Sequence, residues 1–80
     1  MFLLSGDIIR HYKGGVYTVL FRCYNANNTA DREDMVCYVS HTTGKVFVRN
    51  LSEMADMVDI GDGIKVIRFL LINPTNQTRE

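Results

Sequence analysis

The sequence predicts a mainly β domain: a small antiparallel barrel or roll, SH3-like, of about five strands with one short helix. Three observations carry this expectation. Several stretches concentrate β-branched and aromatic residues, the composition of a pleated, half-buried surface. Glycine-bearing turn signals separate these stretches at short intervals. No helical run is long enough to serve as a crossover between parallel strands. Sequential strands are therefore expected to pair antiparallel and to curl so that their edges are protected.

The elements follow in order. Residues 8–12 read as a first strand, and Gly14-Gly15 supplies the hairpin turn. Residues 16–24 form the densest strand signal, with Tyr17, Val19, Phe21 and Cys23 expected to face inward by simple alternation. The polar stretch 25–34, NANNTADRED, reads as a surface loop of a length that is uncommon unless functional or mobile. Residues 35–40 and 45–49 read as two strands joined by TTGK. In NLSEMADMV the spacing of Leu51, Met54, Ala55 and Val58 is helical, which predicts the single short helix. Gly61-Asp62-Gly63 marks another turn, residues 64–72 read as the last strand, and Pro74 ends it. One domain over 1–73 and a flexible C-terminal tail over 74–80 complete the organisation.

Composition bounds the function. The chain has 80 residues and a formal net charge of zero. A nucleic-acid binder usually carries a basic excess, so duplex binding is not expected. The apolar start is too short for a signal peptide or a membrane helix, which leaves the cytoplasm as the expected compartment and no membrane partner. The two cysteines, Cys23 and Cys37, fit no zinc spacing with His11 and His41, and are expected to be free, buried thiols. No metal and no cofactor is expected.

The stretch RHYKGG, from Arg10 to Gly15, followed by Tyr17, Val19 and Leu20, resembles the opening motif of the DUF1653 family of short bacterial and phage domains of unknown function. Val36, Cys37 and Tyr38 match a later Val-Val-Tyr of that family. Phe47, Val48, Arg49 and Asn50 stand where its members carry Trp-Val-Arg-Pro, and Arg68-Phe69 match a closing Arg-Phe. The resemblance spans about 7–72 and implies no activity. It singles out Arg10, His11, Tyr12, Lys13, Tyr17, Arg49 and Arg68.

These residues suit ligand binding better than catalysis. His11 has no nucleophile at a motif spacing, so His11-dependent acid–base chemistry is the minor reading. No Walker or Rossmann loop is present. Arginine offers a planar fork to phosphate or carboxylate, and Tyr12, Tyr17, Tyr24, Tyr38 and Phe47 offer flat faces. Against this stands the ordinary role of each residue: a strand arginine is usually solvated or paired with an acid, and a tyrosine in a small β domain is usually core. As a set, Arg10, Tyr12, Arg49 and Arg68, with His11, Lys13 and Tyr17 nearby, point to a non-enzymatic pocket for a phosphate-bearing, nucleotide-derived small molecule. Alternation places Arg10 and Tyr12 on one face and His11 and Lys13 on the other, and the first pair is the expected lining. Such a pocket forms most easily between protomers, so a homo-oligomer is expected. By analogy with the family's phage members, the use would be sequestration of a host immune signalling nucleotide in the host cytoplasm. The alternative is an interaction module that binds a peptide or a single-stranded nucleic acid.

Overall fold

The structure is a computed structural model that describes residues 3–26 and 34–75. Seven strands form: β1 (Ile8–His11), β2 (Val16–Tyr24), β3 (Asp34–Ser40), β4 (Val46–Asn50), β5 (Met57–Gly61), β6 (Ile64–Ile67) and β7 (Phe69–Asn73). A five-stranded sheet has the order β4-β3-β2-β1-β7, and β5 with β6 makes a separate hairpin. Every pairing is antiparallel. The fold is thus mainly β, but the sheet does not close into a barrel: β4 and β7 are its two edges. No helix among the described residues is long and apolar enough to cross a membrane.

Two expected elements are corrected. The short helix reduces to one 3-10 turn, Leu51–Glu53. A nucleus that fixes several dihedrals for one hydrogen bond needs more length than this segment has, and the chain that follows, with Met57, Val58 and Asp59, pairs instead with β6. The expected last strand breaks at Arg68. There the backbone N–H donates to the Asp56 carbonyl at 2.9 Å and the carbonyl accepts from Tyr12 at 2.9 Å. The chain therefore leaves the small hairpin and enters the large sheet at this residue.

The core lies on one face of the large sheet. Leu3, Ile9, Val19, Val36, Tyr38, Met54 and Phe69 are buried together, with Tyr17, Leu51 and Leu71 packed against them. Ile9 lies opposite Tyr17 and Leu71, and Val19 opposite Tyr38, so period-2 alternation gathers them on this inner face. Phe69 is wholly buried, and its truncation to Ala is expected to cost about 3–5 kcal/mol.

Alternation fails midway along β2. The register shifts between Val19 and Phe21, so Val19 faces Tyr38 while Phe21 faces Cys37. Adjacent residues of β3 point to opposite faces, and a β-bulge at Leu20 therefore turns Phe21 outward. Phe21 is 53% exposed, against the expectation that it faces inward. Cys37 is buried on that outer face because Phe21 and Val48 flank it on both sides.

A buried acid ties Leu4 to Thr75. The Asp7 carboxylate accepts the Leu4 and Thr75 backbone N–H groups, each at 2.8 Å. The tail expected from residue 74 is therefore anchored at Thr75, while 76–80 lie outside the described residues, as do 27–33 of the expected loop.

Candidate functional site

A groove of about 220 Å³ opens on the inner face, where Tyr17, Tyr38 and Phe69 continue into the core. His11, Lys13, Gly15, Tyr17, Tyr38, Phe47, Arg49 and Phe69 line it. Its aromatic wall continues from the core. Tyr17 meets Tyr38 edge-on at 5.2 Å between ring centroids, and Tyr38 stacks with Phe47 at 5.8 Å and 27°. Phe69 sits edge-on to Tyr38 at 5.5 Å and to His11 at 4.9 Å. His11, Tyr17, Tyr38, Phe47, Arg49 and Phe69 come from β1, β2, β3, β4 and β7, and Lys13 and Gly15 from the β1–β2 turn, so sheet geometry fixes most of the lining.

The turn after β1 shapes one side. Gly14 has a φ of 102°, in the left-handed region that glycine tolerates. Gly15 serves a different need. A Cβ there would lie 2.9 Å from the Tyr17 hydroxyl oxygen and 3.0 Å from its Cε1. The missing side chain lets the Tyr17 ring lie against the turn.

The groove is cationic. Arg49 donates from Nε to the Tyr38 hydroxyl and from Nη1 to Glu53, each at 3.3 Å. These two bonds aim the guanidinium, and no described residue takes a hydrogen bond from its Nη2. Lys13 makes no ion pair among the described residues; its ammonium lies 5.8 Å from the Tyr12 ring centroid. His11 Nδ1 accepts the Lys13 backbone N–H at 3.1 Å, so the neutral ring carries its proton on Nε2. Partial burial holds the His11 pKa below its ordinary 6.5, and Arg49, Arg68 and Lys13 push it the same way. The imidazole is thus neutral at physiological pH beside two cationic side chains.

The expected pair Arg10 and Tyr12 shares a groove, but not with Arg49 or Arg68. Arg10 lies on the outer face, opposite Val16 and Leu70. With Tyr12 it lines a second groove of about 460 Å³ together with His11, Gly14, Val66, Ile67 and Leu70. Of the two pairs separated by alternation, it is His11 and Lys13 that share the inner groove with Arg49 and Tyr17. Arg68 lines neither groove. Its Nε and Nη2 donate to the Asp56 carboxylate at 2.6 and 3.2 Å. That bond lowers the Asp56 pKa and raises that of Arg68. Arg22 is likewise paired, with Asp34 at 3.0 Å. The second groove is larger but holds a single cation, Arg10, and a single tyrosine, Tyr12, so the smaller one, where Lys13 and Arg49 meet Tyr17, Tyr38 and Phe47, is the candidate site.

Sequence reasoning treated Tyr38 and Phe47 only as general flat faces and missed Phe69 as part of the lining. Their alternation with Arg49 in 45–49 and with Val36 in 35–40 was the available signal.

A model of the DUF1653 family, described as a protein of unknown function, matches residues 7–71. The chain belongs to this family. No curated protein and no solved structure matches it. The DUF1653 match covers every residue of the groove and ends before Thr75.

Proposed function

We propose that the inner groove holds a compact anionic ligand with a flat ring, a phosphate-bearing nucleotide derivative, and does not transform it. The observation that supports this most is the convergence of Tyr17, Tyr38 and Phe47 with Arg49 and Lys13 on one concavity. Rings offer stacking surface, and an arginine already aimed by two bonds offers a charge-assisted donor to phosphate. The same cations disfavour an ammonium ligand, which an aromatic cage would otherwise suit. Retention without chemistry is supported by the engagement of the local acid–base groups. His11 Nδ1 is occupied, and Glu53 and Asp56 are tied to Arg49 and Arg68. A protein of this kind acts by withholding its ligand. Sequestration of a signalling nucleotide, from the host if the chain is phage-encoded, is the use we assign.

The test is a thermal-shift screen of mononucleotides, dinucleotides and cyclic nucleotides, followed by calorimetry. A ligand of the folded state raises the melting temperature. A nucleotide should bind more tightly than its nucleoside or inorganic phosphate. Arg49→Ala should weaken binding by about 1.5–3 kcal/mol and shift the ligand-free melting curve little. The reading fails if no nucleotide binds, or if Arg49→Ala binds like the parent.

A further inference from the structure

The edge of β4, which no described strand covers, is the feature that the groove alone does not use. Val46, Phe47 and Val48 are consecutive and exposed, at 56%, 41% and 53%, with no proline or bulge to guard them. The opposite edge is better protected. Phe69 N–H of β7 donates to the Met54 carbonyl at 3.0 Å, and Pro74 follows the strand. On β4, Ser40 N–H donates to the Lys45 carbonyl at 2.9 Å. This fixes the alternation: Lys45, Phe47 and Arg49 turn their backbone groups toward β3, and Val46, Val48 and Asn50 turn theirs outward.

We propose that two copies of the chain pair antiparallel through β4 about a two-fold axis at Val48, and that Phe47 of each copy completes the groove of the other. Hydrogen-bond alternation and charge together select this register. An axis between residues would oppose an outward-facing residue to an inward-facing one and break the ladder. An axis at Arg49 places two guanidinium groups opposite each other. An axis at Phe47 places Arg49 opposite Lys45. Like charges directly opposite are destabilising. The axis at Val48 puts Val48 against Val48, Val46 against Asn50, and Arg49 against the second copy's Phe47. The first two are hydrogen-bonded pairs, and the last sets a cation beside a ring. Registers centred on Val46 or Asn50 run into the Gly44 turn or the 3-10 turn and shorten the overlap.

Phe47 and Arg49 lie on the inner face at the groove's rim. Cross-strand neighbours are about 5 Å apart, so the second copy's Phe47 adds a ring beside Arg49. A groove of about 220 Å³ is below the roughly 300–1,000 Å³ of small-molecule sites, and this ring deepens it. The pairing itself stands apart from the ligand reading; only its consequence for the groove rests on that reading.

Sedimentation velocity of the ligand-free protein, from micromolar to several hundred micromolar, tests the pairing without any ligand. The expected result is a concentration-dependent dimer. Val48→Lys places two ammonium groups across the axis and should weaken self-association by about tenfold or more. Val48 is on the outer face, away from the groove lining. A parent that stays monomeric throughout, including one that captures an extended peptide on this edge instead, overturns the proposal, as does a Val48→Lys variant that dimerises like the parent. Should that variant fail to fold, amide exchange on the parent decides. The Val46, Val48 and Asn50 amides should slow as concentration rises, and unchanged rates overturn the pairing.

Discussion

Arg68 and Asp56 form a two-point ion pair, with Nε and Nη2 on the two carboxylate oxygens at 2.6 and 3.2 Å. Their backbones are joined as well, since Arg68 N–H donates to the Asp56 carbonyl at 2.9 Å. The arginine that the sequence offered as an anion contact instead fastens the segment before β5 to the start of β7.

This pair carries a pH dependence. The Arg68 guanidinium holds the Asp56 carboxyl below its ordinary 3.8. A group whose pKa is depressed by folding stabilises the fold above its unfolded value, and that contribution is lost as pH falls below it. Asp56→Asn should therefore melt at a lower temperature than the parent at neutral pH. The gap should narrow as the pH is taken down through 3.8. Melting curves of both proteins across that range check it, and a gap independent of pH contradicts it.

His11 acts on stability in the same sense as Asp56, but in a higher pH range. Its folded pKa lies below 6.5, first through burial and then through Arg49, Arg68 and Lys13. The unfolded chain takes up this proton first, so the group weakens the fold as pH falls through 6.5. The His11 ring signals in an NMR titration should show a midpoint below that of the denatured chain. Arg49→Gln should raise the midpoint, and a bound phosphate ester should raise it further. A midpoint at or above the denatured value would rule out the electrostatic description of the groove.

Gly15 is a matter of space rather than of backbone freedom. Gly15→Ala drives the new methyl against the Tyr17 ring and should destabilise by about 1 kcal/mol. The effect should be partly absent in a Tyr17→Ala background, with a coupling of about 0.5 kcal/mol or more. Denaturant melts of the two single variants and the double variant give that coupling. Strict additivity would show that the ring does not rest on the turn.

The two cysteines should separate by rate. Burial raises the Cys37 pKa, with Cys23 adding to the shift, and Cys37 is buried while Cys23 is half-buried. A thiol reagent on the native protein should modify Cys23 first, with Cys37 following only as the protein unfolds. Equal rates in the native state would contradict this ordering.

Much of the sheet was legible because β2, β3 and β4 are written in β-branched and aromatic residues between glycine turns. What was not legible depends on partners distant in sequence. The bulge at Leu20 is invisible in VYTVLFRCY, yet it decides the face of Phe21. The break at Arg68 depends on Asp56, twelve residues earlier, and the helical spacing of Leu51, Met54 and Val58 yields to pairing with β6. The site was half legible. Alternation separated Arg10 from His11, but only the placement of Arg49 on the inner face shows which of the two shares its groove. Grouping Arg10 and Tyr12 with Arg49 followed from residue type alone, and residue type does not report the face.

The position of β1 between β2 and β7 bears on how the protein is born. During synthesis β1 emerges early, but one of its two neighbours, β7, emerges after every other described strand. The buried Asp7 also awaits its bond from Thr75. The nascent chain can zip β1 to β4 in order, but it holds an unshielded Ile9 and an Asp7 carboxylate without its Thr75 bond until residues 69–75 arrive. Folding is then completed after translation has passed this point. A nascent chain stalled after Ile67 should stay open to protease, whereas one extended past Thr75 and clear of the exit tunnel should resist it. Resistance already present in the shorter chain would mean that the sheet is stable without its last strand.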